Sequence, residues 1–138
     1  MEIPVLVHGK GIYDSDAMKM KYTGMVLEGS RIKEMGRFEE LSQAYPDVRV
    51  MDFSDSYILP GLVNTHVHLE FTPCRDTYGI YRREDRKARL DRAAEHARTL
   101  LRSGVTTVRD AGSSMDLAEA LSGREAGSEP KTELPRIQ

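Results

Sequence analysis

Cysteine is nearly absent from this chain. Its 138 residues include one, Cys74, which excludes an intramolecular disulfide and any zinc site built from thiolates. As a lone thiol in a polar stretch it reads as incidental. Long apolar runs are also missing: no segment approaches the roughly 18 residues of a membrane span. The start, Met1-Glu-Ile-Pro-Val-Leu-Val-His8, lacks the basic region and longer apolar core of a secretory signal. A cytoplasmic location with no membrane partner is the expectation. Excess charge is lacking too. Twenty Lys and Arg against 22 Asp and Glu leave a formal charge of -2, with no general pull toward nucleic acid. At 39% hydrophobic and 30% charged residues the composition is that of a soluble globular chain, for which a small molecule is the expected partner. The length suits one ordinary domain, yet the pattern along the chain reads as parts of two.

The first 56 residues predict three or four strands and one small helix. Ile3 to Val7 is a short β-branched run followed by Gly9 and Gly11, read as a strand and a turn. Asp14 to Lys21 is polar and turn-like. Thr23 to Glu28 and Ile32 to Gly36 flank Gly29-Ser-Arg as a hairpin. Phe38, Leu41 and Tyr45 recur at helical spacing before Pro46. Val48 to Phe53 alternates as a further strand, and Ser54-Asp-Ser56 reads as a turn. This part resembles half of a β-sandwich, whose open edges need cover. His8 has no evident role.

Beyond it the pattern changes to strand, helix, strand, helix, which predicts a parallel sheet. Thr72 to Arg83 lacks periodicity and reads as a long loop, a common place for substrate contacts. Glu84 to Arg102 predicts a helix with an apolar stripe of Ala93, Ala97, Leu90 and Leu100, ended by Gly104. His96 sits beside that stripe with no ligand-type neighbour, which suggests a structural or solvated role. The six basic residues between Arg82 and Arg92, interleaved with three acids, read as a solvated helix face with i,i+4 pairs. Val105 to Arg109 predicts a second strand, Met115 to Leu121 a helix, Gly123 to Thr132 a polar turn-rich tail, and Leu134 to Gln138 the start of another strand.

The chemistry concentrates between these halves, in Ser56-Tyr-Ile-Leu-Pro-Gly-Leu-Val-Asn-Thr-His-Val-His-Leu-Glu-Phe71. Side chains alternate across a strand, so His66 and His68 project from one face together with Leu62 and Asn64. One metal ion can meet both imidazoles. Val63, Thr65, Val67 and Leu69 form the other face, expected to pack on the following helix. A lone His-x-His is weak evidence for a metal. Here the pair ends a strand that Pro60-Gly61 starts sharply and a β/α repeat follows, as in a barrel whose sites lie at the C-terminal strand ends.

Leu59-Pro-Gly-Leu-Val-Asn-Thr-His-Val-His68 resembles the signature of the amidohydrolase superfamily, and Ala97-Arg-Thr-Leu-Leu-Arg-Ser-Gly-Val-Thr-Thr-Val-Arg-Asp-Ala-Gly112 resembles its second block. The second block is most similar to the imidazolonepropionase-like and Xaa-Pro dipeptidase-like branch. The resemblance implies an α/β fold: residues 1–56 as a partial β-sandwich, and residues 57–138 as the first β/α units of a (β/α)8 TIM-type barrel, incomplete in this chain. It further implies His66 and His68 as ligands of the more buried divalent metal, usually zinc. The remaining ligands and the general base of the family lie far downstream of these positions. Glu70 and Asp110, the other acids near the strand ends, match no family ligand. Asn64 stands where many members carry Asp and deaminase-like members often carry Asn, so the hydrolase or deaminase subclass stays open.

The leading expectation is therefore the truncated N-terminal portion of a metal-dependent amidohydrolase. The parent enzyme would hydrolyse amide or other C–N bonds with metal-activated water and act on a small-molecule substrate, while this chain alone would be inactive. No catalytic residue is assigned. The alternatives are a non-catalytic binding or assembly module, completed by a homo-oligomer or a complementing chain, and a small metal-binding protein that retains the His-x-His strand.

Overall fold

A computed structural model describes residues 3–122 and 134–138. The chain divides into two compact units, Met1–Pro60 and Gly61–Gln138. In the first, strands β1 (Val5–Asp14) and β2 (Lys19–Glu28) pair antiparallel, and β3 (Arg31–Gly36) adds antiparallel to β2. The helix α1 (Phe38–Ala44) follows, as the spacing of Phe38, Leu41 and Tyr45 predicts, and β4 (Arg49–Ile58) joins β1 in parallel. The sheet order is β3-β2-β1-β4. Leu41 buries against Leu6 and Val26, so α1 covers the face on which those alternating residues lie.

Two strands outrun their sequence signals. Gly9 and Gly11 do not end β1; they are absorbed at register shifts against both neighbours, where an irregular ladder tolerates them. Ser54-Asp-Ser56 does not turn the chain either. It stays within β4 as an exposed irregularity at the sheet edge: pairing with β1 runs to Phe53 and resumes at Tyr57, so the three residues are accommodated at a register shift. The β1–β2 turn is held by Asp14, whose carboxylate accepts the N–H groups of Asp16 and Ala17, both at 3.0 Å, and pairs with Lys21 at 3.1 Å.

The second unit is β5 (Leu62–Val67), α2 (Thr77–Arg83), α3 (Arg86–Arg102), β6 (Val105–Asp110), α4 (Met115–Ser122) and β7 (Arg136–Ile137). Its strands are all parallel, in the order β5-β6-β7, as the alternating pattern predicts. Asp85 caps α3 by accepting the Ala88 N–H at 2.8 Å. Gly104 follows the helix with a φ of 90°, the left-handed conformation that closes a helix with least strain in glycine. Leu69, Ala93, Ala97, Val108, Leu121 and Ile137 form the core.

Three expectations change here. The stretch Thr72 to Arg83 is not all loop: Asp76 accepts from Gly79 N–H at 3.1 Å and pairs with Arg83 at 2.8 Å, which stabilises α2 without an apolar stripe to announce it. The apolar face of β5 is only partly covered, because α3 packs on β6; Val67 and Leu69 reach the core, whereas Val63 is 62% exposed. The basic stretch of α3 is not uniformly solvated. Lys87 and Asp91 do form the expected i,i+4 surface pair, but Arg89 and Arg92 turn inward, with side chains 23% and 15% exposed. The expected tail Gly123 to Thr132 lies outside the described residues. No helix among the described residues is long and apolar enough to cross a membrane.

Candidate metal centre

His66 lies near the C-terminal end of β5 and His68 in the turn that follows. Period-two alternation places both on one side, and the structure brings their rings together. The Nε2 atoms stand 3.2 Å apart, with ring centroids at 5.0 Å and planes at 76°. Two imidazole nitrogens bound to one tetrahedral zinc at about 2.0–2.1 Å each are separated by about 3.3 Å. The observed pair therefore fits two corners of such a site. Both residues are solvent-exposed, so an ion can reach them.

Local chemistry fixes the backbone at His66 and the space for the His68 ring. The Asn64 side chain accepts the His66 N–H at 3.1 Å across the end of the strand. His68 meets the turn after β6: a Cβ on Gly112 would lie 2.1 Å from His68 Nδ1, closer than real atoms approach. Only glycine admits the ring there. Phe71 lies edge-on to His68 at 6.0 Å and continues into Tyr78 and Tyr81 of α2. Beside this turn is a cavity of about 480 Å³ walled by Val67, Phe71, Pro73, His96 and Leu100.

The two acids near the strand ends do other work. Asp110 ends β6 opposite Val67. Its Oδ1 accepts from Gly112 N–H at 3.1 Å and Ser113 N–H at 3.0 Å; its Oδ2 accepts from Ser113 Oγ at 2.6 Å and Leu69 N–H at 3.4 Å. A carboxylate has about four acceptor positions, so these bonds consume it. Glu70 is fully buried, accepts the Ser114 N–H at 2.9 Å and pairs with Arg89 at 3.3 Å. Neither extends the histidine pair. Among the described residues no group of three or more His, Cys, Asp or Glu could hold a metal.

The other histidines are placed as structural residues. His96 donates from Nδ1 to the Leu69 carbonyl at 2.9 Å, and His8, in the first unit, stacks on Phe38 at 3.8 Å and pairs with Asp52 at 3.2 Å. Cys74 is exposed. Sequence reasoning placed Glu70 near the strand end but not its pairing with α3, and it missed Gly112 as a residue of this neighbourhood. Glu70 carried a signal, an acid flanked by Leu69 and Phe71, but its arginine partners lie 19 and 22 positions along the chain.

A model of the amidohydrolase family matches residues 57–126, half of the chain. The chain belongs to the amidohydrolase family. It is 31% identical over 64 residues to the imidazolonepropionase of Pyrobaculum arsenaticum, covering 46% of this chain and 16% of that protein. It is 39% identical over 46 residues to the 5-methylthioadenosine/S-adenosylhomocysteine deaminase of Thermodesulfovibrio yellowstonii, covering 32% and 10%. Among solved structures it superposes on molinate hydrolase with a TM-score of 0.76 and 26% identity, over 99% of this chain and 29% of that one. A Xaa-Pro dipeptidase matches with a TM-score of 0.69 and 23% identity, over 97% and 32%, a likeness of fold. The chain thus spans a small part of the curated relatives and about three tenths of the structural ones.

Proposed function

We propose that this amidohydrolase chain supplies the first β/α units of a metal-dependent hydrolase barrel, with His66 and His68 as its first two metal ligands. The observation that carries the reading is the 3.2 Å separation of the two Nε2 atoms at the C-terminal end of a parallel strand, the end at which barrel enzymes place their sites. A divalent ion, zinc by preference for imidazole, would supply Lewis-acid activation of water for attack on an amide or related C–N bond. The chain's own residues hold the donor pair: Asn64 fixes the backbone at His66, and Gly112 leaves room for the His68 ring. Asp110 folds the turn that carries Gly112.

Two imidazoles are fewer than the roughly three protein ligands of a catalytic zinc. Turnover therefore requires residues beyond those described, and the isolated chain is expected to be inactive on a small-molecule substrate. The match to an imidazolonepropionase and to a deaminase supports C–N chemistry as the class and leaves both subclasses in play.

Cobalt(II) titration of the purified chain, read by calorimetry and by the visible spectrum, tests the site. One equivalent should bind to the wild type, with binding lost in His66→Ala and His68→Ala. Equal binding by the double alanine variant, or none by the wild type, would sink the reading.

A further inference from the structure

The chain leaves β5 through an irregular turn whose course is dictated by side chains. Leu69 donates its N–H to Asp110 Oδ2 and receives His96 Nδ1 on its carbonyl. Glu70 donates its N–H to Ser113 Oγ at 3.2 Å and receives Arg92 on its carbonyl, through Nε at 3.3 Å and Nη2 at 3.0 Å. All four backbone groups of residues 69 and 70 therefore end on side chains from α3, from the end of β6 or from the turn after it. Buried backbone groups must find such partners, and here the partners set the path.

Glu70 adds a second tie through its carboxylate. Oε2 takes the Ser114 N–H, and Oε1 faces Arg89 Nη1 at 3.3 Å from α3. Arg89 also lies over the Tyr81 ring at 4.7 Å, while Arg92 is paired with Glu84. Arg89, Arg92 and His96 fall at i, i+3 and i+7, on one helix face, and all three reach this turn. A fully buried, ion-paired acid in the middle of an irregular turn is costly unless its partners are all in place. Oε1 itself makes no hydrogen bond, so the Arg89 charge beside it is what compensates its burial and ties the turn to α3. His68 is two residues away, and its ring is already in contact with Gly112 of the same framework.

We propose that Glu70 is the positioning residue for the histidine pair: by joining α3 to the turn after β6, it fixes where His68 Nε2 points relative to His66. This rests on the metal-site reading for its purpose but not for its test. Glu70→Gln keeps the side-chain volume and an acceptor for Ser114 while removing the charge that pairs with Arg89. The first readout is the nuclear Overhauser effect between the imidazole protons flanking Nε2 of His66 and His68, measured without metal; the second is the cobalt(II) dissociation constant.

The wild type should show the ring contact. In Glu70→Gln it should vanish while the amide spectrum of the core around Ala93, Ala97 and Val108 stays intact, and cobalt affinity should fall about tenfold or more. A folded Glu70→Gln that keeps both the ring contact and the affinity overturns the proposal, as does a wild type without the ring contact. Loss of the contact in Glu70→Gln, together with a wild type that binds no cobalt, upholds the positioning role and removes the metal reading instead. Should Glu70→Gln fail to fold, Arg92→Met releases the Glu70 carbonyl and keeps the apolar stem. In that variant, loss of the ring contact and of cobalt affinity supports the positioning role, and retention of both overturns it.

Discussion

At the scale of single residues, contact distances set the most specific expectations. A methyl group at Gly112 has no place beside His68, its Cβ falling 2.1 Å from Nδ1. Gly112→Ala should rotate the His68 ring away from His66 and weaken cobalt(II) binding at least about tenfold, measured against an unchanged far-ultraviolet circular dichroism spectrum. Asp14 yields a prediction in pH. Hydrogen bonding from the Ala17 N–H, then the Lys21 ammonium, holds its pKa down to about 2 from an ordinary 3.8. A depressed carboxylate contributes stability above the unfolded pKa and loses it as pH falls through the folded one. The contribution is therefore largely complete above about pH 4 and is lost as pH falls through about 2. Urea midpoints across that window should fall more steeply for the wild type than for Asp14→Asn. The histidine pair was legible in the sequence because alternation is a one-dimensional rule. Gly112 was not, because a close approach between residues 44 positions apart exists only once β5 and β6 pair.

At the scale of elements, long periodic segments declared themselves and short capped ones did not. The stripe through Ala93 and Ala97 predicts α3, and both alanines are fully buried. The helix α2 has no buried residue and depends on Asp76 and Arg83, so neither period nor composition distinguishes it from a loop. The start of α3 depends on Asp85. Asp85→Ala leaves the Ala88 N–H without its partner and should cost about 1 kcal/mol, seen as a lower denaturation midpoint of the Gly61–Gln138 unit with no change in its slope. The same helix also shows where charge counting misleads: its arginines look alike in sequence, but those on the row of His96 turn toward residues 69 and 70, while Lys87 stays at the surface.

At the scale of the whole molecule, the first unit presents a sheet face with little cover. Leu6 and Val26 face α1, so alternation puts Met51 and Phe53 on the opposite face, at 36% and 43% exposure. The outer edge of β4 has no strand partner among the described residues. Exposed apolar sheet faces and open edges promote association. The isolated chain should sediment with a concentration-dependent coefficient above that of a monomer, and Phe53→Lys should shift it toward the monomer. The family, the parallel βαβ order and the spacing of His66 and His68 were written in the order of residues, since periodicity and local motif need no partner. The convergence of the Nε2 atoms, the use of Asp110 and Glu70 as braces of the turns, and the demand for glycine at position 112 were decided only by the fold. Each depends on groups far apart in sequence meeting within a few ångströms, a condition that pairing and packing impose and linear order does not encode locally.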